Sequence, residues 1–247
     1  MNIDHEINQG LAFGFIDNST QSLSRYQPAL ITNQNGTVLD TLEEELRTAK
    51  SFTIAVAFVT SGGLLDLKSI LADIAAHGVR GKLITSTYLE FNNPDVFDDL
   101  LQIPNLEVKV LDQDGFHTKA YYFDHGNYES ALIGSSNLTQ NALKKNFEWN
   151  LRITSTERGD VIRNVKNELT NLWQQATTLT PLWIENYRQN WQPNYSNYRA
   201  KKKTEPSGKI VPNKMQKTAL EALKHLRDVE HAKKAWLWQQ LELVKLI

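Results

Sequence analysis

The chain has 247 residues, no cysteine and a formal net charge of −1, with 27 Lys and Arg against 28 Asp and Glu. That length holds one large domain or a domain with appendages, and the lack of cysteine excludes a disulfide framework and thiolate chemistry. The near-zero charge neither selects nor excludes a nucleic-acid partner, because a local basic surface is what matters there.

The start, MNIDHEINQG, lacks the basic residues and apolar run of a signal peptide, and no apolar stretch approaches the length of a membrane span. A cytoplasmic protein with no membrane partner is expected. In chain order, the first 35 or so residues read as polar and irregular, apart from the apolar patch GLAFGFI. VLDTLEEELRTAK predicts a helix, because Leu39, Leu42 and Leu46 recur at helical spacing. FTIAVAFVT is short, apolar and β-branched, and reads as a buried strand. GGLLDLKSILADIAAHG predicts an amphipathic helix closed by Gly78 as its C-cap. GKLITST is a second strand, and LEVKVLD a third. Between them NPDVFDDLLQI is a short helix with Asn93 as cap and Pro94 in its first turn. HTKAYYFD, SALIGSS and FEWNLRITS supply three more strands, with a short helix LTQNALKKN before the last. DVIRNVKNELTNLWQQA closes with a long amphipathic helix. Strands alternating with helices, several of them apolar on both faces, predict an α/β fold over residues 1–175: a mixed sheet with helices on both sides.

Residues 176–207 form an aromatic-rich helical segment and a linker. Trp183, Tyr187, Trp191, Tyr195 and Tyr198 either dock this segment on the domain or offer a stacking platform for bases. RAKKKTEPSG is a charged linker.

The chemistry concentrates in FHTKAYYFDHGNYESALIGSSNLTQNALKKNFEWN. Residues two apart on a strand face the same way, so His117 and Lys119 project together with Tyr121 behind them. A fixed cation biases the imidazole toward its neutral, nucleophilic form, and Lys119 offers charge and donors to an anion. Gly134-Ser135-Ser136-Asn137 leads into a helix start, where backbone N–H groups and the Asn137 carboxamide are expected to hold an anion. Glu148 can accept from the second imidazole nitrogen and fix the tautomer. These parts suit attack on a phosphate. Singly, each also reads as ordinary surface; the ordered conjunction carries the signal. Thr85, Ser86 and Tyr88 end a strand of the same sheet. They and Ser136 line a substrate cleft, or are plain strand-end polar residues.

His117-Thr118-Lys119 followed by Asp124 resembles the H-x-K-x4-D pattern of the phospholipase D superfamily, and Gly134-Ser135-Ser136-Asn137 its downstream G-S-x-N. The resemblance spans most of residues 1–175. It is nearest to bacterial phospholipase-D-like nuclease domains of restriction enzymes and helicase fusions. It implies a phospholipase-D-like mixed sheet, with His117 forming a covalent phosphohistidine. Lys119 and Asn137 would bind the phosphate with help from Ser135. Glu148 would orient a histidine, and Asp124 would support the site from behind. No metal or cofactor is implied. The superfamily site uses two such motifs and this chain has one, so the resemblance implies a homodimer with one active site across a two-fold axis.

Residues 208–247 resemble the start of a superfamily 2 DNA helicase, with Gln216 as its adenine-contacting glutamine, or else form an amphipathic helix on Leu220, Leu223 and Leu226. Where a Walker A loop is expected, the chain reads WLWQQLELVKLI. One codon series for LVMAATGTGKTY, read one nucleotide on, gives that ending. Residues 236–247 are therefore expected to be a frameshifted stretch that truncates a longer nuclease-helicase. The leading functional expectation is a metal-independent DNA nuclease. The alternatives are a phosphodiesterase of lipid or another small phosphodiester, a non-catalytic DNA-binding module, and a domain that merely scaffolds a helicase.

Overall fold

The computed structural model describes residues 2–19, 22–113 and 115–191, and beyond them residues 217–218, 220–222 and 224–225. The chain divides into two compact units, one of residues 1–88 and 92–191, the other of residues 89–91 and 192–247. In the second unit, the described residues from 217 to 225 are helical and Leu220 is half exposed. Tyr195, Tyr198, the linker, Gln216 and the proposed frameshifted stretch 236–247 lie outside the described residues.

The first unit is built on one eight-stranded mixed sheet. Its strands are β1 (Ala29–Ile31), β2 (Ser51–Val56), β3 (Arg80–Ser86), β4 (Leu106–Leu111), β5 (Lys119–Asp124), β6 (Glu129–Gly134), β7 (Asn150–Ser155) and β8 (Thr177–Thr178). Their order is β1-β7-β6-β5-β2-β3-β4-β8. Among these strands only β2, β3 and β4 run parallel to one another, and the other strand pairs are antiparallel. The expected α/β fold is therefore present, and its six expected strands appear as β2 to β7.

The helices are α1 (Ile3–Phe15), α2 (Val38–Thr48), α3 (Ser61–Ala76), α4 (Pro94–Leu101), α5 (Gln140–Lys144), α6 (Asp160–Gln175) and α7 (Pro181–Asn190). Asn93 caps α4 through the Asp95 N–H, and Gly78 follows α3 at φ 78°. Helix α2 opens with a capping box between Thr37 and Asp40. One face of the sheet is covered by α2, α3, α4, α5 and α7, around Leu42, Leu46, Leu67, Phe97, Tyr121 and Leu132. The other face carries α6, whose Ile162 and Leu169 meet Ala55, Ile84, Ala120 and Ala131. Small alanines in the central strands let that helix lie close. The first unit runs through α7: Trp183 and Tyr187 stack on each other and meet the buried Phe97 edge-on.

The N-terminal segment differs from expectation. It is not irregular: α1 is a helix of 13 residues capped by Asn2, and β1 pairs with β7 at the sheet edge. Among the described residues no helix is long and apolar enough to cross a membrane.

Candidate active site

The residues singled out by sequence gather at one end of the sheet, where β2 and β3 finish and β5 begins. His117 and Thr118 just precede β5, and the Ala57 N–H donates to the Thr118 carbonyl at 3.1 Å, which keeps this approach extended. Lys119, first in β5, is only 8% exposed. Its Nζ lies 2.7 Å from His117 Nδ1 and donates to the His117 carbonyl at 2.7 Å. Lysine has only donors, so Nδ1 accepts and the neutral ring carries its proton on Nε2. Burial first, and then the Lys119 charge, hold His117 below its ordinary 6.5. Lys119 itself is lowered to about 8, by burial and against the opposing pull of Glu148. The imidazole is thus neutral near pH 7, while the lysine is mostly charged.

Two aromatic rings flank the histidine. Phe58 and Tyr88 lie nearly parallel, 6.3 Å apart, and each meets the His117 ring edge-on, at 5.6 and 6.0 Å. Tyr88 therefore borders the site. Phe58 was not singled out; it stands two residues past the end of an apolar strand and resembles core.

The Gly134–Asn137 loop is fixed from both sides. A Cβ at Gly134 would come within 2.2 Å of the Trp149 carbonyl, so only glycine lets β6 leave the sheet this close to β7. Asn150 holds the next residue, accepting from the Ser136 N–H at 3.2 Å and donating to its hydroxyl at 2.8 Å. Asn137 Oδ1 accepts from the Phe58 N–H at 3.1 Å, which turns the Asn137 amide N–H groups the other way. The expected cluster of free backbone donors is mostly absent. The N–H groups of Ser135, Ser136, Leu138 and Thr139 are all engaged, by Trp149, Asn150, Phe58 and Asn137. The following helix has five residues and is capped by Thr139 itself. The donors left for a ligand here are the Asn137 carboxamide and, once it leaves His117, Lys119.

Glu148 lies just before β7 and is 8% exposed. It accepts from the Ser135 hydroxyl, and from Asn146 Nδ2 at 3.4 Å. It makes no hydrogen bond to His117 of its own chain, although it is close enough to act on the charge of Lys119.

Three expected cleft residues do not open onto a cleft. Thr85, Ser86 and Ser136 are each 0% exposed. The hydroxyls of Thr85 and Ser86 both donate to the Ala57 carbonyl. Asn92, which sequence reasoning missed, completes that network: its amide donates to Ala57, Thr85 and Ser86 and accepts from the Val59 N–H at 2.8 Å. These residues staple the ends of β2 and β3 together behind the site. Asp124 is also misplaced as a support. It ends the strand that Lys119 begins, five residues and about 17 Å away, where it caps the hairpin turn through the Gly126 N–H at 2.7 Å.

A buried lysine beside a neutral histidine, with the Asn137 carboxamide free to donate, is an arrangement that suits an anionic group such as a phosphoryl. The comparisons agree with this chemistry. Residues 42–173, more than half of the chain, match the family described as "Cardiolipin synthase, PLD-like domain". The chain belongs to this phospholipase-D-like family, a family of phosphodiesterases. No curated protein matches it. Among solved structures, NucT from Helicobacter pylori is similar at 21% identity and a TM-score of 0.50, covering 62% of this chain and 98% of that one. Nuc from Salmonella typhimurium, a phospholipase D family member, is similar at 17% identity and a TM-score of 0.51, covering 62% and 97%. At these identities the likeness is one of fold.

Proposed function

We propose that this chain is a metal-independent DNA nuclease that works as a homodimer through a covalent phosphohistidine on His117, and that it is part of a nuclease-helicase of restriction, defence or repair. The observation that carries the reading is the exposed, neutral His117 held against the buried, mostly charged Lys119. In this state Lys119 occupies the one free lone pair of the imidazole. A phosphodiester entering the site draws the lysine Nζ onto its oxygens and releases Nδ1. Asn137 donates to the same phosphate, with Ser135 beside it.

A carboxylate accepting from Nδ1 would then move the proton there and leave Nε2 to attack. Glu148 faces Ser135 and Asn146 instead of its own His117, so we assign it to the histidine of a second protomer. That second histidine is also the general acid a single motif lacks. The surface around the site supports such a pairing. Leu30, Leu151 and Ile133 are in register across β1, β7 and β6 and are 57%, 41% and 40% exposed, with Trp149 at 69% next to them. A row of large apolar side chains beside a half-complete site suits a two-fold interface.

DNA is preferred because the motifs resemble those of nuclease domains. Cleavage of labelled single- and double-stranded DNA in excess EDTA tests it. The wild type is expected to cut and His117→Ala to be inert. DNA binding without cleavage by either form would instead establish a binding module. Turnover of a lipid phosphodiester alone would establish the second enzymatic reading, which the family's description keeps in view.

A further inference from the structure

Helix α6 crosses its face of the sheet from β7 and β6 toward β4 and leaves the starting ends of β2 and β3 uncovered. A cavity of about 360 Å³ opens there, at the opposite end of the sheet from His117. Its floor is a polar row set by strand register: Tyr122 on β5, Thr53 on β2, Lys82 on β3 and Glu107 on β4. Arg80 opens β3, and Lys166 and Trp173 reach in from α6.

Three observations point to an anion. Arg80 and Lys82 are exposed and form no ion pair among the described residues; Lys82 Nζ rests 5.0 Å above the Trp173 ring instead, with Lys109 at 4.8 Å from the same ring. Tyr122 is 6% exposed, and its buried hydroxyl makes no close hydrogen bond, with the Glu129 carboxylate as its neighbour. Burial, and then the neighbouring Glu129 and Asp124, push its pKa up, so it is fixed as an O–H donor. The acidic residues at hand are occupied or set back. Glu129 is held through one oxygen by Lys166 at 2.6 Å, Asp124 caps its turn, and Glu107 makes no ion pair with Lys82. A buried donor without a close hydrogen bond is costly, and two unpaired cations beside it favour an anion as occupant.

We propose that this cavity is a second phosphate-binding site, distinct from the His117 centre, taking a phosphate group of a nucleotide or of a nucleic-acid backbone. Arg80 and Lys82 supply the charge, the Tyr122 hydroxyl donates from the floor, and Trp173 forms an aromatic wall. The volume is in the range of sites for molecules of nucleotide size, roughly 300 Å³ and upward.

The test uses a full-length His117→Ala/Lys119→Ala chain, in which the catalytic centre is disarmed. Inorganic phosphate, a 5′-mononucleotide and a short single-stranded oligonucleotide are titrated by calorimetry. Binding is expected to persist in this chain and to weaken about tenfold or more when Arg80→Ala/Lys82→Ala is added. Tyr122→Phe, which removes only the hydroxyl, weakens it to a lesser degree with an unchanged melting temperature. Binding of phosphate and mononucleotide assigns the site to free phosphate groups; binding of the oligonucleotide alone assigns it to a strand. No binding of any probe, or binding indifferent to Arg80 and Lys82, overturns the proposal and makes this row a solvated sheet end. The nuclease reading is untouched by either result.

Discussion

Strand β5 is bracketed by two histidines, and their surroundings differ in kind. His125, just past its end, looks the more catalytic on paper. Its Nε2 lies 3.0 Å from both Glu45 Oε2 and Ser130 Oγ, and its Nδ1 3.1 Å from Thr48 Oγ1. But His125 is 6% and Ser130 0% exposed, Tyr128 stacks on the ring at 4.2 Å, and the Ser130 hydroxyl is spent on Glu45 at 2.5 Å. Every polar atom of that imidazole is satisfied and no substrate can reach it. His117 is exposed, its one described polar partner is a lysine, and its expected carboxylate faces elsewhere. A satisfied polar cluster holds a fold together, whereas an incomplete one beside an open surface is available for chemistry.

The largest effect expected from this contrast is at His117. His117→Ala should lower DNA cleavage by roughly 10³-fold or more while leaving the melting temperature unchanged, because the ring is exposed. His125→Ala should do the reverse. It removes one of the buried Glu45's partners, leaving Ser130 and Arg152, and is expected to cost about 3 kcal/mol in urea unfolding, with the specific activity of the folded fraction preserved. Glu45 also gives that cluster a pH signature. Burial raises its pKa, yet the hydrogen bonds of His125 and Ser130 and the charges of His125 and Arg152 outweigh burial, leaving it below 4.5. Its contribution to stability is therefore present above about pH 4.5 and lost as pH falls further, and Glu45→Gln should flatten that acid limb of the urea midpoint.

Asn137→Ala should reduce kcat by about 10²-fold, the effect of removing one transition-state donor. A smaller and more diagnostic effect comes from Lys119. Its pKa is about 8, so kcat/KM should fall as pH rises through about 8 and the ammonium is lost. Lys119→Arg, charged throughout the accessible range, should abolish that alkaline limb in the activity it retains. The smallest effect is expected at Asp124. Asp124→Asn should change activity by no more than about twofold, because its carboxylate caps a remote turn.

The elements with strong spacing were legible in the chain. Leu39, Leu42 and Leu46 declare α2, and Asn93-Pro94 marks the start of α4 before any contact is known. Helix α1 was not legible: its segment is polar apart from one apolar patch, and it contains Gly10 and Gly14, which lower helix propensity. The structure gives Gly10 another purpose: a Cβ there would come within 2.7 Å of the Tyr26 carbonyl. Strands β1 and β8 have three and two residues and exist only through pairing. At the site, His117 and Lys119 are near neighbours in the chain, so their contact could be foreseen. Asn92 acts on Val59, 33 residues away, and Asn150 on Ser136, so neither shows a local pattern. Polar residues at a strand end look alike whether they turn inward or outward, which is why the sequence left two readings open for Thr85, Ser86 and Ser136, all of them buried here.

The central claim, that catalysis needs histidines from two copies of this chain, is tested most directly by dilution. Wild-type and His117→Ala chains are co-expressed in varied ratios, and DNA cleavage per total protein is measured in EDTA. If the site spans two protomers, activity falls as the square of the wild-type fraction. A linear fall would show that each chain cuts alone and would contradict the account.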